Sequence, residues 1–193
     1  MKFRAVELNR LDEKTIADIR IWRNQEFVRR NMFQTHIITE EEHRKYIDKL
    51  KMDPNRGLFV FFLDNEPFGV FQYEVNPKEH TVTNGNYLID ETYQMMGYGT
   101  IMYYMIGVIE YTCLKVEKIC AEVVDTNKDA LNMQIRMGGT VEKILKDHVI
   151  LDGVKHDVYQ FSYPLRMWDE NSRIAKIARS FIDEESLEDM LVL

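Results

Sequence analysis

"YQMMGYGT", residues 93–100, lies between a strand-like run, "NGNYLID" (84–90), and an apolar one, "IMYYMIGVIEY" (101–111). Two glycines one residue apart at a strand-to-helix junction let backbone approach a ligand, because no Cβ stands in the way. The exposed amides and the positive end of the following helix make a cradle for an anion. A P-loop would end in Gly-Lys-Ser/Thr, which is absent here. A dinucleotide fingerprint would place its third glycine where Met102 stands, and this unit sits mid-chain. A structural tight turn would also use glycine, so the bare pattern leaves phosphate cradle and turn both open.

Upstream, "LDEKTIADIRIWRN" reads as a helix with Ile16, Ile19 and Trp22 on one face. Thr39 and Glu42 form a capping box for a second helix, closed by Pro54. "LFVFFLD", "FGVFQYEV" and "TVTNGNYLID" then read as an antiparallel meander with turns at "DNEP" and "NPKEH". Downstream of the glycines, residues 101–111 are apolar nearly all round, as in a buried helix. "KICAEVV" is a short buried strand. "DTNKDALNMQIRMGG" is a helix begun by Thr126 or Asn127 and stopped at a left-handed Gly138. Asp152-Gly153 joins a terminal hairpin, whose tight turn would set His148 opposite Asp157 as an ion pair or hydrogen bond. The expected fold is therefore mixed α/β: a mostly antiparallel sheet flanked by helices.

From Leu165 onward the chain reads as an appended amphipathic helix, with Ile174, Ile177, Ala178 and Phe181 at helical spacing. Such a helix packs on its own domain or against a second copy, which would make a homodimer. The domain proper is residues 1–164 and the helical extension residues 165–193.

With 193 residues and 45% hydrophobic side chains, the chain has enough material for a sizeable core. A net charge of −7 argues against binding nucleic acid by neutralising phosphates. Cys113 and Cys120 lack metal or redox spacing, and no segment has the length of apolar run that spans a membrane. A cytoplasmic protein with no metal and no membrane partner is expected.

Gln94, Gly97 and Gly99 match, residue for residue, the Gln/Arg-x-x-Gly-x-Gly/Ala loop of the GCN5-related N-acetyltransferase (GNAT) superfamily. Asn127 followed by "ALNMQIRMGG" is similar to that family's second hallmark. The chain thus resembles this superfamily over roughly residues 1–164. "WRN", "TEEEHRKYI" and "KDHVILDGVKHDVYQFSY" resemble the branch of ribosomal-protein N-terminal acetyltransferases and the amino-sugar N-acetyltransferase of pseudaminic acid synthesis. The resemblance implies acetyl-CoA as co-substrate, in a V-shaped gap between the strand ending at Asp90 and the strand ending near Val124. Leu88 and Ile89 would pair with the pantetheine arm. Gln94, Met95, Met96, Gly97, Tyr98, Gly99 and Thr100 would hold the pyrophosphate. Asn127, Ala130 and Met133 would line the cofactor's path.

Acetyl transfer needs a neutral amine, an aligned thioester, a donor for the oxyanion and a proton for the leaving thiolate. The family's usual tyrosine for that proton is replaced here by Gln134, which donates hydrogen bonds but gives up no proton. Glu74 and His43 are the candidates for general base. Trp22, Arg23, Asn24 and Tyr87 are candidates for the acceptor site, with Arg23 as clamp for an anionic group. The implied activity is N-acetylation of a small primary amine, most sharply that of a nucleotide-linked amino sugar. The alternatives are a protein N-terminus as acceptor, or an acyl-CoA-binding module with reduced catalysis.

Overall fold

The computed structural model describes residues 2–164, 173–181 and 190–193. Eight strands form one sheet: β1 (Phe3–Glu7), β2 (Arg56–Leu63), β3 (Glu66–Asn76), β4 (Thr81–Leu88), β5 (Lys118–Val124), β6 (Thr140–Leu151), β7 (Val154–Pro164) and β8 (Leu191–Val192). Their order is β6-β7-β5-β4-β3-β2-β1-β8. Only β4–β5 and β1–β8 pair in parallel. The helices are α1 (Glu13–Asn24), α2 (Glu26–Arg29), α3 (Glu40–Met52), α4 (Tyr98–Ile109), α5 (Lys128–Arg136) and α6 (Arg173–Arg179). The expected mixed, mostly antiparallel sheet with flanking helices is what forms.

The continuous apolar run of β2 follows from its place in the middle of the sheet, covered on both faces. Leu58 and Val60, with Val70 of β3, pack against Ile19 of α1 and against Ile47 and Leu50 of α3. Phe59, Phe61 and Phe71 face the other way, onto Met105, Ile106 and Ile109 of α4. A helix pressed against a phenylalanine floor on one side and α6 on another needs the all-round apolar character of residues 101–109. The capping box forms as read: Glu42 N–H donates to Thr39 Oγ1 at 3.2 Å, and Thr39 N–H to Glu42 Oε2 at 2.7 Å. Gly138 adopts the left-handed conformation at φ 82°.

The C-terminal helix agrees with the amphipathic reading at Ala178 and departs from it at Ile177 and Phe181. Among the described side chains of α6, Ala175 and Ala178 are buried, whereas Ile177, and Phe181 just beyond, are 39% and 43% exposed. Small side chains let α6 lie close on α4, so its alanine stripe faces inward. Leu191 and Val192 then add to the edge of β1, where Ala5 N–H donates to Met190 O at 2.6 Å. Residues 165–172 and 182–189 of the expected extension, and the Ile174 side chain, lie outside the described residues.

Among the described residues, one carboxyl is sealed inside. Glu110, where α4 passes into the π-helical turn Glu110–Leu114, is fully buried. Its Oε1 accepts from Asn84 Nδ2 at 2.7 Å, and its Oε2 has no partner. Burial pushes the carboxyl up to about 8, against the lowering effect of the Asn84 hydrogen bond. The folded protein then holds one more proton than the unfolded chain between its ordinary 4.5 and about 8. Stability from this group is complete below that interval and falls as pH rises through it, by about 1.4 kcal/mol per pH unit. Glu110→Gln removes the titration. Denaturation midpoints at pH 5 and pH 8 should fall for the wild type and converge for the variant, leaving the variant the more stable at pH 8.

Candidate active site

β4 and β5 pair only from Thr81↔Lys118 to Asn84↔Ala121. Beyond that point β4 stays with β3 as far as Leu88, while β5 stays with β7 as far as Val124. The strands part, and a cleft of about 1070 Å³ opens between them. Ile89 N–H donates to Phe68 O at 3.1 Å, on the β3 side. Strand alternation therefore turns the main-chain groups of Leu88 and Asn86 toward the cleft. Ile89 is a correction to the sequence reading: its carbonyl accepts from Gln25 Nε2 at 2.8 Å, so neither main-chain group is offered to a ligand strand.

The glycine loop closes the mouth. Met95 and Met96 end the 3-10 turn Glu91–Met96, which also carries Gln94 in the cleft wall; Met96 is 61% exposed. Gly97, at φ 83°, caps α4 in the left-handed conformation that glycine tolerates best. Thr100 N–H turns back to Gly97 O at 3.0 Å, while the first two amides of α4, of Tyr98 and Gly99, have no intrahelical acceptor. The Tyr98 ring stacks on Tyr93 at 4.7 Å and meets Phe68 edge-on at 5.4 Å, so the side chain belongs to the core. A Cβ on Gly97 or Gly99 would meet nothing within 4 Å, so both positions are open to a close-lying ligand.

The opposite wall is α5. Asn127 caps it, its Oδ1 accepting from Ala130 N–H at 3.1 Å, and Asn127, Ala130, Met133 and Gln134 line the cleft. Gln134 is only 3% exposed; its Nε2 donates to Tyr103 Oη at 3.5 Å and its Oε1 has no partner. Tyr103 was not among the sequence candidates. Burial pushes its phenol up to about 12, partly offset by a hydrogen bond with Asn86. The signal was present: Tyr103 stands four residues after Gly99, hence on the same face of α4.

Several sequence candidates lie elsewhere. Glu74 is exposed and paired with Arg56 at 3.4 Å, outside the cleft wall. His43 Nε2 donates to Ile16 O at 2.7 Å, tying α3 to α1, and burial holds its pKa below the usual histidine range. Neither is placed as a base. Trp22 packs in the core under α1. Asn24 Nδ2 donates to Ile38 O at 2.9 Å while its Oδ1 accepts from Ile38 N–H at 2.8 Å. Arg23 Nη2 donates to Gln34 O at 3.0 Å. None of the three lines the cleft. Arg23 and Asn24 hold the segment 31–39, with Arg29 Nη1 on Thr35 O at 2.5 Å. Tyr87 does stand in the cleft wall, its hydroxyl pKa raised by burial.

The terminal hairpin also differs from its reading. Leu151↔Val154 pair as expected, but the register shifts between Leu145 and Val149, and Asp147 takes φ 50°. His148 is thereby exposed. Asp157 instead accepts from Lys146 Nζ at 2.6 Å and from Asp147 N–H at 3.1 Å. Within the hairpin, the imidazole with a carboxylate partner is His156, whose Nδ1 lies 2.9 Å from Asp125 Oδ1, and it lines the cleft. Among the described residues no group of three or more His, Cys, Asp or Glu is placed to hold a metal ion, and no helix is long and apolar enough to cross a membrane.

The family model described as "Acetyltransferase (GNAT) domain" matches residues 8–158. Acetyltransferase PseH of Campylobacter jejuni is 31% identical over 127 residues, 66% of this chain and 76% of that protein. Its crystal structure superimposes with a TM-score of 0.63 at 21% identity, covering 85% of this chain and 99% of that one. Spermidine N-acetyltransferase from Vibrio cholerae, solved with CoA and spermine, gives a TM-score of 0.77 at 16% identity, over 86% of this chain and 98% of that one. RimL, a ribosomal L7/L12 alpha-N-protein acetyltransferase solved with coenzyme A, gives 0.73 at 17% identity, over 85% and 94%.

The Asn127 cap makes the cleft's far wall testable without a ligand. Asn127→Ala should lower stability by about 1 kcal/mol, and Asn127→Ser should restore most of it. Chemical denaturation of the two variants beside the wild type measures both.

Proposed function

We propose that this chain, which belongs to the GNAT acetyltransferase family, transfers the acetyl group of acetyl-CoA to the primary amine of a nucleotide-linked amino sugar. The observation that carries the acceptor is the 31% identity with Acetyltransferase PseH. It is supported by the likeness of "WRN", "TEEEHRKYI" and the terminal hairpin to the amino-sugar branch of the family.

The residues present fit acetyl-CoA. The open space over Gly97 and Gly99, beside the unsatisfied amides that begin α4, suits a pyrophosphate. The main-chain groups of Asn86 and Leu88 suit the amides of an extended arm lying along β4 as an added strand. Asn127, Ala130 and Met133 would flank that arm from α5. When bound, acetyl-CoA supplies an activated thioester carbonyl.

Gln134 and Tyr103 meet behind the parting strands, and both would face the leaving sulfur. Gln134 has N–H but no acidic proton, and the Tyr103 proton is held tightly at about 12. Their contribution is therefore hydrogen bonds to developing negative charge, with the proton itself arriving late or from water. A buried, unpartnered Gln134 Oε1 is a cost the fold carries at this spot.

Free-thiol release from acetyl-CoA, followed with an amino-sugar nucleotide, spermidine and an N-terminal peptide, tests the acceptor. The amino-sugar nucleotide should give the highest kcat/KM, and preference for either of the others would overturn the amino-sugar reading. Gly99→Val tests the cradle. Its side chain has room in the empty protein but would occupy the ligand's place. The KM for acetyl-CoA should rise at least about tenfold, equivalent to about 1.4 kcal/mol, while thermal stability changes little. Unchanged affinity in the folded variant would remove the pyrophosphate from this loop.

A further inference from the structure

With Glu74 and His43 placed outside the cleft, the amine's proton needs another destination. We infer that His156, oriented by Asp125, is the general base that takes a proton from the acceptor amine; this rests on the acetyl-transfer reading.

The placement follows from the strands. Val158 and Val124 pair and pack with Leu151 on one face of the sheet. Ala121, Val123 and Phe161 pack with α5 on the other. His156 shares the parity of Val158, so it projects from the face opposite α5. Tyr87, paired with Val70, projects from that same face across the cleft. Gln134 belongs to α5 and Tyr103 to α4, on the side that would carry the thioester sulfur. A base on one face and hydrogen-bond donors for the thiolate on the other is a division that suits acyl transfer.

The dyad is held from several directions. Asp125 follows directly on β5, its N–H donating to Asp157 O at 2.9 Å. Asp125 Oδ2 accepts from Asp157 N–H at 3.4 Å, leaving Oδ1 for His156 Nδ1 at 2.9 Å. A carboxylate at Nδ1 fixes the neutral ring in the tautomer that bears its hydrogen there, so Nε2 presents a lone pair. The His156 side chain is 18% exposed and that of Asp125 31%, enough for an entering amine to reach. Of the other charged groups lining the cleft, Lys128, Asp129 and Arg136 belong to α5, on the opposite face of the sheet from His156. Glu122 accepts from Gln160 at 2.7 Å, Arg30 faces Glu91 at 3.2 Å, and Asp152 stands at the hairpin tip.

The protons balance. A primary ammonium loses two in becoming an amide. His156 Nε2 takes one and passes it to water; the other equivalent ends on the coenzyme A sulfur. The amine nitrogen forms the C–N bond as the C–S bond breaks.

The test uses the full chain, acetyl-CoA, and whichever of an amino-sugar nucleotide and spermidine the wild type acetylates. His156→Gln should lower kcat about 100-fold at pH 7 and leave the KM for acetyl-CoA unchanged. The deficit should narrow as pH rises toward the amine's own pKa, where solvent deprotonates it. Asp125→Asn, which keeps the imidazole but not the charge behind it, should lose about tenfold with the same narrowing. Equal loss at every pH, or unchanged kcat in both variants, would overturn the assignment. Should His156→Gln not fold, the Asp125→Asn profile decides. No thiol release by the wild type with any amine would overturn the acetyl-transfer reading itself, a result distinct from full activity in the variants.

Discussion

A parallel pair of strands cannot be joined by a tight turn, and that constraint organises this molecule. β4 must reach β5 through a crossover, which is α4. The crossover starts at the open end of β4, so its unsatisfied first turn faces the place where the two strands part. Gly97 follows from the sharp reversal into that helix, and Tyr103 from the helix's next turn along the same face. The cleft, the amides at its mouth and the phenol within are therefore consequences of one connection. Parting leaves main-chain donors and acceptors on β4 with no strand beside them, and a buried edge of that kind calls for a partner.

Beside the cleft, where Asn31 and Met32 join its lining, a different device is at work. Segment 31–39 has almost no regular structure of its own, so its carbonyls need donors. Arg23, Asn24 and Arg29 supply them from α1 and α2. In the sequence, "WRN" is a polar cluster ending a helix, and polar clusters invite a ligand. Here Arg23 Nη2 and Asn24 Nδ2 are given to the chain's own backbone. Nothing in composition or spacing separates those two uses, because a guanidinium that grips a carbonyl and one that grips a carboxylate have the same donors.

What was legible follows a pattern. Periodicity of two or 3.6, capping pairs and glycine signals are local, and the helices α1, α3, α4 and α5 and the meander could be read from them. β1 has five residues and β8 two, too few for periodicity to stand out, and β8 is a strand only because the edge of β1 is beside it. The hairpin was legible at its turn and lost at its bulge: one left-handed Asp147 changed the register enough that His148 left and His156 gained an aspartate. At the position where the resemblance expects a tyrosine, the sequence displayed Gln134 instead. It did not display that a phenol from another helix lies against it.

The two outer strands of the sheet solve a common hazard in unlike ways. β8 is only two residues long, yet it covers β1, with Arg10 Nε donating to Leu193 O at 2.8 Å as a latch. β6 is long and carries Ile144 and Ile150 at 39% and 64% exposure, but irregular register breaks its pairing line and Lys143, Lys146 and Asp147 interrupt it. A straight, flat outer strand invites a neighbour's strand and, in time, fibrils. Kinks and charge deny β6 that role, whereas β1 depends on its tail. Loosening residues 190–193 would thus expose a sticky seam far from the cleft, and the first symptom would be self-association during expression.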